Sequence, residues 1–399
     1  MNEVAIIGYG MHPWGKFPGK SWEDLAAEAT EKALKDAGLE WKDIQFVVAG
    51  SDPWSGHYGI LAGSTLHLRL GPIGVPVVNS YNACATAGYA LATVRAYVAS
   101  GLCDVALCVA GSVSPKGFYG VTQMRDEFDA SDVDFQRFRI LGRTNPTNFA
   151  CTAMRRMHLY GTTEDDLAEV KVKNSKHASF NPNTRYRNVF TKEEVLNSPM
   201  VCHPLRLYEI CATSDGGAAL VVCSLKKAKQ YTTKPVVVGG VNLASPNYKD
   251  PGSSRGAFST SVGDASNISD TGYSQRRAAN AVYEEAGLGP GDLSLAEVYD
   301  LTPAQELDWY ETIGLCEQGE AESLLREGVT AVGGRIPVNA SGGVSSSGEA
   351  IPAQGFFQVC ELVCQMRGEA GGRQVEGAKA GLAINSGLQG NTSCMIIKR

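Results

Sequence analysis

The residues with chemistry in reach sit in turns. Asn79-Ser-Tyr-Asn-Ala-Cys84-Ala-Thr-Ala-Gly88 opens an alanine-rich, helix-like stretch that ends at Ser100-Gly101, and Gly74-Val-Pro-Val-Val78 before it reads as a short buried strand. Cys84 therefore falls where a strand gives way to a helix, where first-turn amides lack partners and the helix dipole favours negative charge. A thiol held there is pulled below its usual pKa of about 8.5 and becomes a nucleophile near neutral pH. The competing reading is a small apolar core residue, the common fate of a free cysteine. Other turns of interest are Tyr299-Asp300 after Ala296-Glu-Val298, the run Asn339-Ala-Ser-Gly342-Gly343-Val-Ser-Ser-Ser-Gly348-Glu349, and Asn385-Ser386-Gly387. Glycine pairs let backbone come close to a ligand, and turn amides can stabilise an oxyanion. A nucleophile, a carboxylate, a phenol, an asparagine and backbone donors brought together are the equipment of acyl transfer. Taken singly, Glu349 reads first as a cap for the helix after it, and Tyr299 as a half-buried aromatic.

What would bring these turns together is an internal duplication. Residues 3–10 read as a strand, followed by a loop with Pro13 and Pro18. Ser21 caps a helix over 22–37 that Gly38 stops, and a strand runs from Asp43 to Ala49. The same grammar returns from Lys234: a strand to Gly240, a helix over 274–286, and Ala-Gly287-Leu288 with Asp292 and Leu293 in place of Ala37-Gly38-Leu39 with Asp43 and Ile44. Pro76-Val-Val-Asn79-Ser80 is echoed by Pro337-Val-Asn339-Ala340, and the strand 104–112 by residues 380–387. Two strand–helix–strand–strand–helix–strand units thus flank an insert. Ligands in α/β sheets collect beyond the carboxyl ends of strands, so equivalent turns of both units are expected to face one site.

Composition narrows the function classes. The 399 residues are 43% hydrophobic and 20% charged, with a net charge of −6, which argues against nucleic acid or an anionic membrane as the main partner. No apolar run reaches the roughly 18 residues of a spanning helix and no leader is evident, so the expected location is the cytoplasm. The eleven cysteines are scattered, without a CxxC pair, which fits reduced thiols better than disulfides and gives no metal site. Cys360 and Cys364, four apart on a helix, read as core packing.

The insert, 114–232, carries Arg125, Arg137, Arg139, Arg143, Arg155, Arg156, Arg185, Arg187 and Arg206; a solvated face outweighs a phosphate contact for any one of them. Thr163-Glu-Asp-Asp166 caps a helix over about 164–178 that ends at Asn181-Pro-Asn183. A second loop, 244–272, rich in Ser, Gly and Asn and containing Arg255, is long enough to be functional.

Nearly the whole chain resembles the thiolase superfamily, within it the sterol-carrier-protein-type and archaeal-type thiolases. The resemblance rests on the Asn82-Ala-Cys84 helix start, Tyr160-Gly-Thr-Thr-Glu-Asp-Asp-Leu-Ala168, His203-Pro-Leu-Arg-Leu207 and Ser214-Asp-Gly-Gly-Ala-Ala219. It implies an α/β protein with a duplicated thiolase fold in five α/β/α/β/α layers, halves at 1–113 and 233–399 with the inserted loop region and the end of the first half at 114–232, a homodimer, and coenzyme A as co-substrate with no covalently bound cofactor. Relatives carry a His-Asp-Cys-Phe-type motif where this chain has Tyr299-Asp300-Leu301-Thr302 and Gly-His-Pro where it has Gly348-Glu349-Ala350. With both histidines replaced, Glu349 becomes the candidate base, since burial raises a carboxyl pKa until it can accept a thiol proton. Tyr299 becomes the candidate acid or oxyanion donor and Asn385 a candidate oxyanion donor, with Ser386, Gly387, Gly343 and Arg255 as substrate-binding candidates. The Tyr-Asp and Gly-Glu-Ala signatures also resemble thiolase-like aldolases that cleave steroid side-chain thioesters with a small zinc-ribbon/OB-fold partner, which implies such a partner here. Those aldolases lack the cysteine, so Cys84 favours thiolysis of a 3-oxoacyl-CoA, one with an aryl ketone and a second carboxylate being the specific expectation. A non-catalytic scaffold is the remaining alternative.

Overall fold

The computed structural model describes residues 2–114, 145–232, 234–247, 273–387 and 390–399. The first half forms β1 (Val4–Gly15), α1 (Trp22–Ala37), β2 (Phe46–Gly50), α2 (Ala62–Leu70), β3 (Val77–Asn79), α3 (Thr86–Ala99) and β4 (Val105–Ser112). Helices α4 (Asn145–Tyr160) and α5 (Glu164–Ser179) follow, and β5 (Asp215–Ser224) returns to the sheet. The second half contributes β6 (Val236–Ala244), α6 (Tyr273–Ala286), β7 (Leu295–Glu297), α7 (Pro303–Thr312), the short α8 (Gly343–Ser347), α9 (Gln354–Arg367), β8 (Ala380–Ser386) and β9 (Thr392–Lys398). Local chemistry sets these bounds where it is strong. Ser21 and Asp24 exchange capping bonds at the start of α1, Gly38 closes it at φ 68°, and Thr163 with Asp166 repeats the capping box at α5.

The strands join in the order β3-β2-β4-β5-β1-β6-β9-β8-β7. Outward from the central antiparallel β1–β6 contact, the two wings are built alike. β5 and β9 run antiparallel to the strands on both sides of them, β2 pairs parallel with β3 and β4, and β7 pairs parallel with β8 and, through Ala296, with Val338. The duplication read from the sequence is thus a repeat of strand order.

Side-chain alternation divides the core into layers. Ala106, Cys108 and Ala110 of β4 pack inward with Met395 and Ile397 of β9, against Ala90, Leu91 and Val94 of α3 and Phe356, Phe357 and Cys360 of α9. Every residue of α9 is buried, as a helix between two sheet wings requires. The opposite faces are covered by α1 and α2 on one wing and by α6 and α7 on the other. Helix, sheet, helices, sheet, helix is the five-layered thiolase arrangement. Burial of Phe356 and Phe357 contributes about 2 kcal/mol each.

Some expected elements differ. The stretch 74–78 does not form a buried strand: β3 starts at Val77, is half-buried, and among the described strands pairs with β2 alone, as the outer edge of its wing. β1 does not stop at Gly10 but runs through Pro13, which occupies an irregularity in the ladder to β5; Gly10 itself lies where a Cβ would be 2.3 Å from the Ala29 carbonyl of α1. β2 starts at Phe46, with a single 3₁₀ turn over Trp41–Asp43 ahead of it.

Candidate active site

Cys84 occupies the turn between β3 and α3. The Thr86 hydroxyl accepts from the Asn82 amide at 2.9 Å and donates to the Ala83 carbonyl at 2.6 Å, pinning the turn. Ala83 is held at φ 50°, a left-handed conformation that costs a side-chain-bearing residue about 1 kcal/mol or more. Cys84 emerges just ahead of the first turn of α3, 8% exposed.

The mirrored half presents a carboxylate and a phenol to that sulfur. Cys84 Sγ donates to Glu349 Oε1 at 2.9 Å, and the Tyr299 hydroxyl donates to Sγ at 2.7 Å while also contacting Glu349 Oε1. The three form a closed triangle, with Tyr299 4% and Glu349 2% exposed. Burial pushes the Glu349 carboxyl up to about 7, the bond from Cys84 pulling the other way. A carboxylate with that pKa is suited to taking and returning a thiol proton at neutral pH. Glu349 does not cap the helix after it. Its backbone is threaded instead against residues 212–214, its amide donating to the Ala212 carbonyl at 2.7 Å and its carbonyl accepting from the Ser214 amide at 2.8 Å. Gly348, at φ 73°, permits this: a Cβ there would lie 2.3 Å from Ser214 Oγ.

The other candidates lie around this triangle in different roles. Asn385 is fully buried between the start of α3 and α9, where its amide nitrogen donates to Gln358 Oε1. Gly387 packs against the nucleophile turn so closely that a Cβ would be 2.3 Å from the Asn82 carbonyl, and its amide donates to the Asn391 carbonyl at 2.6 Å. Ser386 Oγ accepts from Gln275 Nε2 at 3.2 Å. Gly343 is buried against Asp300, whose carboxylate fills the space a Cβ would need. Arg255 lies outside the described residues, as do Arg125, Arg137, Arg139 and Arg143. Of the insert arginines that are described, Arg156 is fully buried among Asp308, Glu311 and Glu322, so its role is to tie α4 to α7 rather than to meet a ligand.

Asp300 carries no sequence signal beyond its place next to Tyr299, yet it organises the site. Its carboxylate accepts from the Val344 amide at 2.6 Å, the Ser345 amide at 3.3 Å and Asn174 Nδ2 at 3.0 Å. Tyr299 and the α8 segment that delivers Glu349 are thereby fixed to each other. Among the described residues, no group of three or more His, Cys, Asp or Glu is arranged to hold a metal, and no helix is long and apolar enough to cross a membrane.

Fold and site together define an acyltransferase class. The chain belongs to the thiolase family: residues 4–226 match "Thiolase, N-terminal domain" and residues 259–399 match "Thiolase C-terminal domain-like". Among its relatives, the acetyl-CoA acetyltransferase of Methanothermobacter thermautotrophicus is 34% identical, over 100% of this chain and 99% of that one. The benzoylsuccinyl-CoA thiolase subunit BbsB of Thauera aromatica is 32% identical over 94% of this chain and 92% of its own. A solved structure, the Ltp2-ChsH2(DUF35) aldolase, superposes with a TM-score of 0.81 at 26% identity, covering 99% of this chain and 97% of that chain. The activity of the family is coenzyme A-dependent acyl transfer and thiolytic cleavage.

Proposed function

We propose that the protein cleaves a 3-oxoacyl-CoA thiolytically through an acyl-enzyme on Cys84. The observation that carries this reading is the 2.9 Å contact between Cys84 Sγ and Glu349 Oε1. In the proposed reaction Glu349 takes the thiol proton and the thiolate attacks the 3-keto carbon. The C2–C3 bond breaks, leaving an enolate on the thioester fragment, and Glu349 returns the proton to C2. Coenzyme A then loses its thiol proton to Glu349 and attacks the acyl group, releasing the Cys84 thiolate to be reprotonated. Tyr299 stabilises oxyanion or thiolate from the third corner of the triangle, and Asn385 is the second oxyanion candidate.

For the substrate, the relative named benzoylsuccinyl-CoA thiolase supports 2-benzoylsuccinyl-CoA, split by coenzyme A to benzoyl-CoA and succinyl-CoA. The same name, which describes a subunit, and the Ltp2-ChsH2(DUF35) pairing support a partner subunit; that this partner is a small zinc-ribbon/OB-fold protein on a homodimeric core is what the family resemblance implies. Mass spectrometry after incubation with 2-benzoylsuccinyl-CoA tests both steps. The expected result is a benzoyl adduct on Cys84, discharged by coenzyme A and absent in Cys84→Ala. Near-normal cleavage by Cys84→Ala would overturn the reading.

The contact between the Tyr299 phenol and Glu349 favours one second reading, a retro-aldolase of the kind the superposed structure's name describes. A base and an enolate-stabilising site are sufficient for that reaction, which consumes no coenzyme A. Products formed without coenzyme A consumption would select it.

A further inference from the structure

A cavity of about 190 Å³ opens beyond the carboxyl ends of the parallel strands β2 and β3, lined by Ser51, Pro53, Ile60, Ala62, Ser80 and Tyr81, with Gly59 and Asn79 completing the wall. This is the end of a parallel sheet where ligands collect. The cavity adjoins the nucleophile turn. Gly50, just before Ser51, packs against the methyl group of Thr86, the residue that pins the Cys84 turn. Tyr81, 41% exposed, lies three residues before Cys84, in the stretch that joins β3 to the nucleophile turn.

Two properties of the wall restrict what it holds. Among the described residues no lining side chain carries a charge at neutral pH, so these residues match neither the phosphates of coenzyme A nor a substrate carboxylate. Ser51 is 2% exposed, lines the cavity, and its hydroxyl has no hydrogen-bond partner among the described residues. A buried hydroxyl left unpaired costs about 1–3 kcal/mol, a cost that a ligand oxygen would remove. A cavity of about 150 Å³ is known to hold benzene, so this one has room for a single ring.

We propose that this cavity receives the uncharged tail of the acyl group presented to Cys84, a six-membered ring or a chain of similar bulk carrying one oxygen for Ser51 Oγ. The proposal rests on the thioester reading above and names the part of the substrate that this end of the site selects.

Equilibrium titration of Cys84→Ala, which is incapable of forming the acyl-enzyme, tests it with 3-oxo-3-phenylpropionyl-CoA, its 4-hydroxyphenyl analogue and acetoacetyl-CoA as probes. The phenyl thioester is expected to bind at least tenfold more tightly than acetoacetyl-CoA. Adding Ala62→Phe, which fills the cavity, is expected to abolish that preference while leaving the Kd for acetoacetyl-CoA within twofold. Ala62→Leu serves in its place if the larger variant does not fold. Ser51→Ala is expected to weaken the hydroxyphenyl probe threefold to tenfold and spare the phenyl one. A phenyl preference that survives filling, equal weakening of all three probes, or no binding at all would overturn the proposal. The two readings fail separately. Loss of the size preference with Cys84 still acylated in the unmodified protein removes only the cavity, whereas a filling-sensitive preference with no Cys84 adduct removes only the thiolysis.

Discussion

The Asp300 carboxylate accepts from the Val344 amide at 2.6 Å, bracing the turn that carries Tyr299 against the helix that leads to Glu349. Two catalytic candidates 50 residues apart in the chain are thus set against each other by a carboxylate bonded to Val344, Ser345 and Asn174.

Asp300→Asn keeps the shape and removes the bracket. The carboxylate accepts from the N–H donors of Val344, Ser345 and Asn174 and is bonded by the Ser345 hydroxyl as well, so an amide NH₂ in its place loses acceptor capacity for the fixed backbone donors. The expected cost is about 1–3 kcal/mol of stability by chemical denaturation. A fall in kcat of tenfold or more is expected alongside it, larger than any change in KM, because the change misaligns Tyr299 and Glu349.

Glu349 gives two pH signatures. With its carboxyl at about 7 in the folded protein, kcat/KM is expected to rise with pH up to about 7 and then level, and Glu349→Gln is expected to lose about 10²–10⁴-fold and flatten the profile. Stability moves the other way. The folded pKa lies above the unfolded value of 4.5, so the unfolded chain ionises first as pH rises. Stability from this group is full below pH 4.5, falls by about 3 kcal/mol between 4.5 and 7, and is constant above. Denaturant midpoints for the parent and Glu349→Gln across that window measure the difference.

Capping and turn chemistry made several of these elements legible in the sequence, because the deciding groups are neighbours. Ser21 with Asp24, Gly38, Thr163 with Asp166, and the Cys84 turn all reach their partners within a few residues. The repeat of Ala37-Gly38-Leu39 at residues 286–288 was enough to bring Tyr299 and Glu349 toward Cys84. Contacts that depend on distant partners left no such trace. Pro13 reads as a strand breaker, but pairing with β5 carries β1 through it to Gly15. β9 follows the Gly387 to Gly390-Asn391 turn, but its pairing with β6, more than 140 residues earlier in the chain, has no local signal. Arg156 and its neighbour Arg155 are alike in residue type; helical spacing puts Arg156 on the buried face with Phe149 and Ala153, and the carboxylates delivered by α7 and by Glu322 are the distant partners that its burial needs.

That network supplies a third prediction, independent of catalysis. Arg156 lies at 2.6–3.0 Å from Asp308, Glu311 and Glu322, and Arg156→Met leaves three carboxyl groups facing one another without their cation. A loss of about 3–5 kcal/mol is expected near neutral pH. Burial already pushes Asp308 up to about 6. The deficit should therefore shrink as pH is lowered and the carboxyls take up protons, and urea denaturation at pH 5 and pH 8 reads the change.

Tyr299→Phe isolates the third corner of the triangle. The lost hydroxyl contacts both Cys84 Sγ and Glu349 Oε1, so the variant keeps the ring packing and removes only the donor. Hydrogen bonds to the charged form of a group favour that form. Without this donor, Glu349 is expected to ionise at higher pH, moving the rising limb of kcat/KM upward by about one unit. The Cys84 thiolate loses the same support, so alkylation of Cys84 by iodoacetamide at pH 7 is expected to slow by about tenfold, with kcat falling about 10–100-fold. An unchanged alkylation rate alongside a large fall in kcat would assign the phenol to the substrate oxygen rather than to the sulfur. A slowed alkylation with kcat preserved would show that the thiolate attack it assists is not the slow step.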